Sequence, residues 1–168
     1  MSQDVHLAEI NIGRFIAPLD DPRIKDFVDN LDRINALAEA APGFVWRLTG
    51  DGNNATDIQP DPTDPLMALN MSVWESPQAL GAFVYRSDHQ GVMRRRKEWF
   101  ERMREAWVVL WWVPKGHRPT VEEAISKLEL LRAKGPTAEA FTFRQAFLAP
   151  DAGPQSKPLG FGDECPAT

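Results

Sequence analysis

Residues 66–80 read LMALNMSVWESPQAL, and their pattern decides the fold. Met67, Leu69, Met71 and Val73 alternate with Leu66, Ala68, Asn70, Ser72 and Trp74. A period of two predicts a strand, here with one apolar and one mixed face. Ser76-Pro77 then opens a helix. Serine is a good N-cap, and proline at the first helical position loses no needed hydrogen bond. Leu80, Phe83 and Val84 supply its apolar stripe.

Working outward toward the N-terminus, Phe44–Thr49 (FVWRLT) predicts another strand, joined to the first by a polar loop over 50–65. Before it, Asp21-Pro22 repeats the cap logic of Ser76-Pro77. Ile24, Phe27, Val28, Leu31, Ile34 and Ala38 follow at three- and four-residue spacing, an amphipathic helix ending near Pro42-Gly43. Val5–Ile12 alternates again, with His6, Ala8, Ile10 and Ile12 opposed to Leu7, Glu9 and Asn11. The face with Glu9 and Asn11 is unusually polar for a strand.

Toward the C-terminus, Ser87 with Gln90 forms a capping box, which predicts a helix restart. Val92, Met93, Arg96, Trp99, Phe100 and Met103 continue that helix. Trp107–Val113 (WVVLWWV) predicts a buried strand, and Thr120–Lys134 a third helix capped by Thr120 with Glu123. The order β-α-β-β-α-β is the ferredoxin-like split βαβ pattern of an α+β protein. The reading places this domain over 1–148, followed by a Pro/Gly-rich tail over 149–168. Two helices cover only one face of a four-stranded sheet. The other face is expected to be bare, and a homodimer is expected to bury it.

Composition narrows the function. The chain of 168 residues is 43% apolar and 26% charged, ordinary for a globular protein. Its net charge of −5 argues against nucleic acid as the main partner, although residues 94–134 carry 11 basic and 6 acidic groups. The longest apolar runs fall short of a membrane span, and MSQDVHLAEI lacks the features of a signal peptide, so a cytoplasmic location is expected. One cysteine, Cys165, excludes a disulfide framework, and His6, His89 and His117 have no metal-ligand spacing.

Three short stretches resemble the dimeric α/β-barrel superfamily that includes the antibiotic-biosynthesis monooxygenases. They are Ala40-Ala41-Pro42-Gly43-Phe44, the strand-to-helix join Ser72–Leu80, and Ser87-Asp88-His89. The chain is more similar still to an uncharacterised bacterial family within that group. His117–Ala124 (HRPTVEEA) and Ala140–Arg144 (AFTFR) carry that likeness. The resemblance implies a sheet-to-sheet dimer and a small-molecule pocket between sheet and helices. It implies no single reaction, since members include cofactor-free oxygenases, haem degraders, isomerases and binding proteins. Of the residues the haem degraders use, only Asn11 matches. Canonical haem degradation is therefore not expected and no cofactor is called for, though haem held by other ligands remains an alternative.

The candidate site follows from these placements. His89 is the expected base, with Tyr85 one turn before it and Asn11 steadying an oxyanion. Glu9, Asn70, Ser72 and Trp74 are expected on facing strands as a polar patch in an aromatic wall, with Trp46 as a further wall. The same patch could instead be a satisfied polar cluster, and the tryptophans could simply fill the core. Arg94-Arg95-Arg96-Lys97 reads as a solvated helix face. The ligand is expected to be small and apolar or aromatic. The leading function is a cofactor-independent oxygenase or isomerase, and the alternative is a non-catalytic ligand- or haem-binding module.

Overall fold

The computed structural model describes residues 4–86, 89–150 and 156–157. Its main elements are β1 (Val5–Arg14), α1 (Lys25–Ala40), β2 (Phe44–Arg47), β3 (Met67–Trp74), α2 (Pro77–Arg86), α3 (His89–Arg94), α4 (Arg96–Trp99), β4 (Val108–Pro114) and α5 (Val121–Lys134). A short pairing of β5 (Ala146–Phe147) with β6 (Ser156–Lys157) follows. The rest of the expected tail, 151–155 and 158–168, lies outside the described residues. The large sheet has the order β2-β3-β1-β4 with every neighbour antiparallel. This is the expected α+β, ferredoxin-like arrangement.

The caps form as the residues dictate. Asp21 accepts from the Arg23 N–H at 2.9 Å and Ser76 from the Ala79 N–H at 3.1 Å. Gly43 makes the turn from α1 into β2 at φ +85°. There a Cβ would stand 2.5 Å from Cβ of Ala79, so a side chain is refused on two counts.

The register pairs Leu7 with Trp74, Glu9 with Ser72 and Asn11 with Asn70. Alternation then sorts the strands onto two faces. Leu7, Phe15, Trp74 and Leu110 pack with Phe27, Leu31 and Ile34 of α1 and Leu80, Phe83 and Val84 of α2. Ala8, Ile10, Met71, Val73, Val109 and Trp111 point the other way.

That second face is not bare, contrary to the expectation on which the homodimer rested. Ala124, Leu128 and Leu131 of α5 lie in the same cluster, and Ile10, Met71 and Val109 are fully buried within one chain. Thr120 caps α5 by accepting from the Glu123 N–H at 3.1 Å. The spacing of Ala124, Leu128 and Leu131 keeps one stripe on the sheet. Burying each of the two leucines is worth on the order of 1.5–3 kcal/mol.

A second departure concerns Val92–Met103, expected as one helix. The helix breaks after Arg94 and again at Phe100, whose backbone is extended (φ −122°, ψ 145°). There the chain pairs with the end of β1: Ile16 donates to the Trp99 carbonyl and Glu101 to the Arg14 carbonyl, at 2.9 and 2.8 Å. The Phe100 ring stacks on Phe15 with centroids 4.6 Å apart. Pairing and stacking win over helical continuation. Among the described residues, no helix is long and apolar enough to cross a membrane.

Candidate functional site

The pleat of β1 and β3 turns Glu9, Asn11, Asn70, Ser72 and Trp74 toward α1 and α2. The expected polar patch therefore lies on the helix-covered face. Glu9 is 1% exposed. Its Oε1 accepts from Asn11 Nδ2 at 2.7 Å, and its Oε2 lies 3.2 Å from Ser72 Oγ. Trp74 Nε1 donates to Ser72 Oγ at 2.9 Å. Burial pushes the Glu9 carboxyl up to about 8, against the opposing pull of the hydrogen bonds from Asn11 and Ser72. The Trp74 ring is fixed by stacking on Phe83 at 5.3 Å and by the edge of Phe44 at 5.4 Å.

Above this cluster is a narrow cavity of about 30 Å³ between the sheet and α1. Phe15, Phe27, Leu31 and Phe100 form its apolar wall, and Asn11, Asn35 and Asn70 its polar lining. A second space of about 20 Å³ shares Asn35, Arg47 and Asn70 with it and reaches Ser72 and Trp74. Together these form one recess with an outer and an inner part. It has room for a few water molecules. Asn54, Ala55 and Thr56 of the 50–65 loop close the outer part.

The amides in this lining are underused. Asn35 is 6% exposed and Asn70 half-buried, yet among the described residues neither side chain forms a hydrogen bond. Neither amide has a buried orphan atom: their polar atoms reach the accessible surface of the recess, where water or a ligand can pair with them.

Two expected site residues, Trp46 and Tyr85, fall elsewhere, and a third, His89, lies outside what is described of the side chains. Trp46 packs with the cluster on the opposite face. A bulge between Phe44 and Trp46 pairs Trp46 with Val73 and Arg47 with Ser72, which turns Arg47 inward in place of the tryptophan. Tyr85 packs edge-on against Phe143 at 6.0 Å and lines neither part of the recess. His89 opens α3, but its side chain lies outside the described residues. The expected sharing of a helix face by Tyr85 and His89 runs through Ser87 and Asp88, which lie outside the described residues.

The residues missed by sequence reasoning are Asn35, Arg47 and Arg96. Asn35 had a signal: it interrupts the buried stripe between Leu31 and Ala38. Arg47 had none, because the bulge is invisible in the sequence. It is bound by Glu39 at 2.7 Å and by the Asn53 carbonyl at 2.6 Å. Arg96 lies between the rings of Phe100 and Trp107, at 4.4 and 4.1 Å. The basic run is thus only partly a solvated face: Arg95 pairs with Asp26 and Glu98, both at 2.7 Å. Among the described residues, no three His, Cys, Asp or Glu side chains come together to hold a metal ion.

Residues 6–157 match the profile of a family described as a domain of unknown function, DUF3291. A search of curated proteins found no match. Solved structures similar to the chain include a putative antibiotic biosynthesis monooxygenase from Chloroflexus aurantiacus, at 16% identity, covering 69% of this chain and 98% of that one with a TM-score of 0.42. A protein of unknown function from Nitrosomonas europaea is 11% identical, covering 71% and 97%, with a TM-score of 0.43. A Pseudomonas aeruginosa protein is 14% identical, covering 70% and 100%, with a TM-score of 0.46.

Proposed function

The chain belongs to the DUF3291 family, and we propose that its recess binds a small molecule with an apolar or aromatic body and an oxygen-bearing head. The observation that carries this is the convergence of unpartnered amides, Asn35 and Asn70, on a space walled by Phe15, Phe27 and Phe100. Apolar walls with a few placed polar groups are how ligand sites are built. The amides offer both donors and acceptors, which suits a carbonyl or hydroxyl. Entry requires the 50–65 loop to move outward, because the closed space holds only water. The chemistry such a site supports is protonation or polarisation of the ligand's oxygen. That is a step of a cofactor-independent isomerase or oxygenase.

The test uses 2-acetylnaphthalene, an aryl ketone, with naphthalene as the body alone. In protein labelled with ¹⁵N, the ketone should shift the side-chain amide signals of Asn35 and Asn70 and bind more tightly than naphthalene. Asn35→Leu should weaken the ketone roughly tenfold, the scale of one lost hydrogen bond in a dry site. Amide signals unmoved by saturating ketone would refute the reading.

A further inference from the structure

The direction of the hydrogen bonds behind the recess carries a second step, which rests on the reading of the recess as a ligand site. We propose that Ser72 Oγ donates to the ligand's oxygen, and that Glu9 stands behind it as the reservoir of the proton. The site therefore selects a carbonyl or an enolate-type oxygen in its inner part.

The indole of Trp74 can only donate, so one lone pair of Ser72 Oγ is always taken. Asn11 likewise donates to Glu9 Oε1. The remaining contact, between Glu9 Oε2 and Ser72 Oγ, has a single hydrogen that can run either way. When Glu9 is ionised, the serine hydrogen points back at it. When Glu9 is neutral, its own hydrogen takes the second lone pair of Oγ, and the serine hydrogen must point elsewhere. Ser72 lines the inner part of the recess, and that is the open direction. Glu9 itself lines neither part; it reaches the recess only through Asn11 and Ser72.

Among the described residues, no charged group pairs with this carboxyl. Its neighbours across the sheet are Ser72 on β3 and Leu110 on β4. From α1 and α2, Ile34, Asn35 and Phe83 face the inner recess. Of the two guanidiniums on the recess, Arg47 is bound by Glu39, and Arg96 lies against Phe100 and Trp107. Burial therefore keeps Glu9 protonated at neutral pH.

With a ligand oxyanion in place, the balance is simple. The Ser72 O–H breaks as the ligand O–H forms. The Glu9 O–H breaks as a new O–H forms on Ser72. Two protons each move one step, the net transfer is one proton from Glu9 to the ligand, no oxidation state changes, and the negative charge ends on Glu9, held by Asn11 and the reset serine. Glu9 positions and supplies; Ser72 is the group that touches the ligand.

The experiment measures 2-acetylnaphthalene affinity against pH, since the ketone accepts but does not titrate. Wild-type affinity should fall about tenfold between roughly pH 7 and pH 9 as Glu9 ionises and withdraws the serine hydrogen. Ser72→Ala should bind about tenfold more weakly at pH 7, and neither it nor Glu9→Gln should show the pH dependence. Asn35→Leu should bind weakly and keep it. A difference infrared spectrum of wild-type protein should also show the protonated carboxyl band of Glu9 shifting when the ketone binds, a readout that needs no variant to fold. Ketone binding that is flat with pH, with an unmoved carboxyl band, overturns the relay and leaves the recess reading standing. Ketone that moves neither the Asn35 nor the Asn70 amide overturns both.

Discussion

Glu9 makes the stability of the whole fold depend on pH in an unusual direction. Its carboxyl is raised from 4.5 to about 8 in the folded chain. Between those values the native state holds a proton that the unfolded chain has released. Stability is therefore complete below about 4.5 and declines as pH rises toward 8. The slope for one such group is about 1.4 kcal/mol per pH unit, so the window amounts to about 5 kcal/mol. That is a large share of the 5–15 kcal/mol typical of a domain. The acid limb has the opposite sign. Hydrogen bonding from Arg23 draws Asp21 down to about 2, so its contribution is present above its ordinary 3.8 and is lost only in stronger acid. Urea unfolding followed by tryptophan fluorescence should show greatest stability near about pH 5 and a steady fall up to about pH 8. Glu9→Gln, which keeps the shape and cannot ionise, should flatten that fall. A wild-type profile that is level across the window, or a Gln variant that falls as steeply, would refute the assignment of a buried neutral acid.

Gly13→Ala should destabilise by about 1–3 kcal/mol, because a Cβ there would sit 2.6 Å from Cδ1 of Phe100, whose ring is buried and stacked on Phe15; a melting temperature equal to wild type would contradict that packing. Leu128→Ala, in α5 and 1% exposed, should cost about 2–5 kcal/mol by urea unfolding, and a loss below 1 kcal/mol would mean that α5 does not seal the sheet. Asn35→Leu should leave stability unchanged or raise it by up to about 1 kcal/mol while weakening the ketone, since the Asn35 amide makes no hydrogen bond among the described residues that the leucine would lose. A fall of several kcal/mol would show that Asn35 serves the core instead.

Much of this was legible because the strands alternate cleanly. Glu9 and Asn11 stand out as polar residues in a strand, and Asn70 and Ser72 as polar residues facing them. The split βαβ order makes their strands neighbours, so the cluster follows from pattern and topology together. What failed depended on geometry that alternation does not encode. One extra residue in β2 exchanged Trp46 for Arg47. The role of α5 was hidden for another reason. Its stripe of Ala124, Leu128 and Leu131 was plain, but nothing in a stripe says which face it covers. A helix after the sixth element could have lain on either side.

The placement of α5 also has a consequence in terms of mass action. The cover over the second sheet face is joined to β4 by residues 115–120 alone, so it meets that face at the high effective concentration of a short tether. Shielding of these strands is a first-order event that does not depend on how much protein is present. A second copy approaching the same strands competes against a helix tethered beside them. It docks there only after displacing Leu128 and Leu131, and so must return to the sheet at least the apolar burial that they supply.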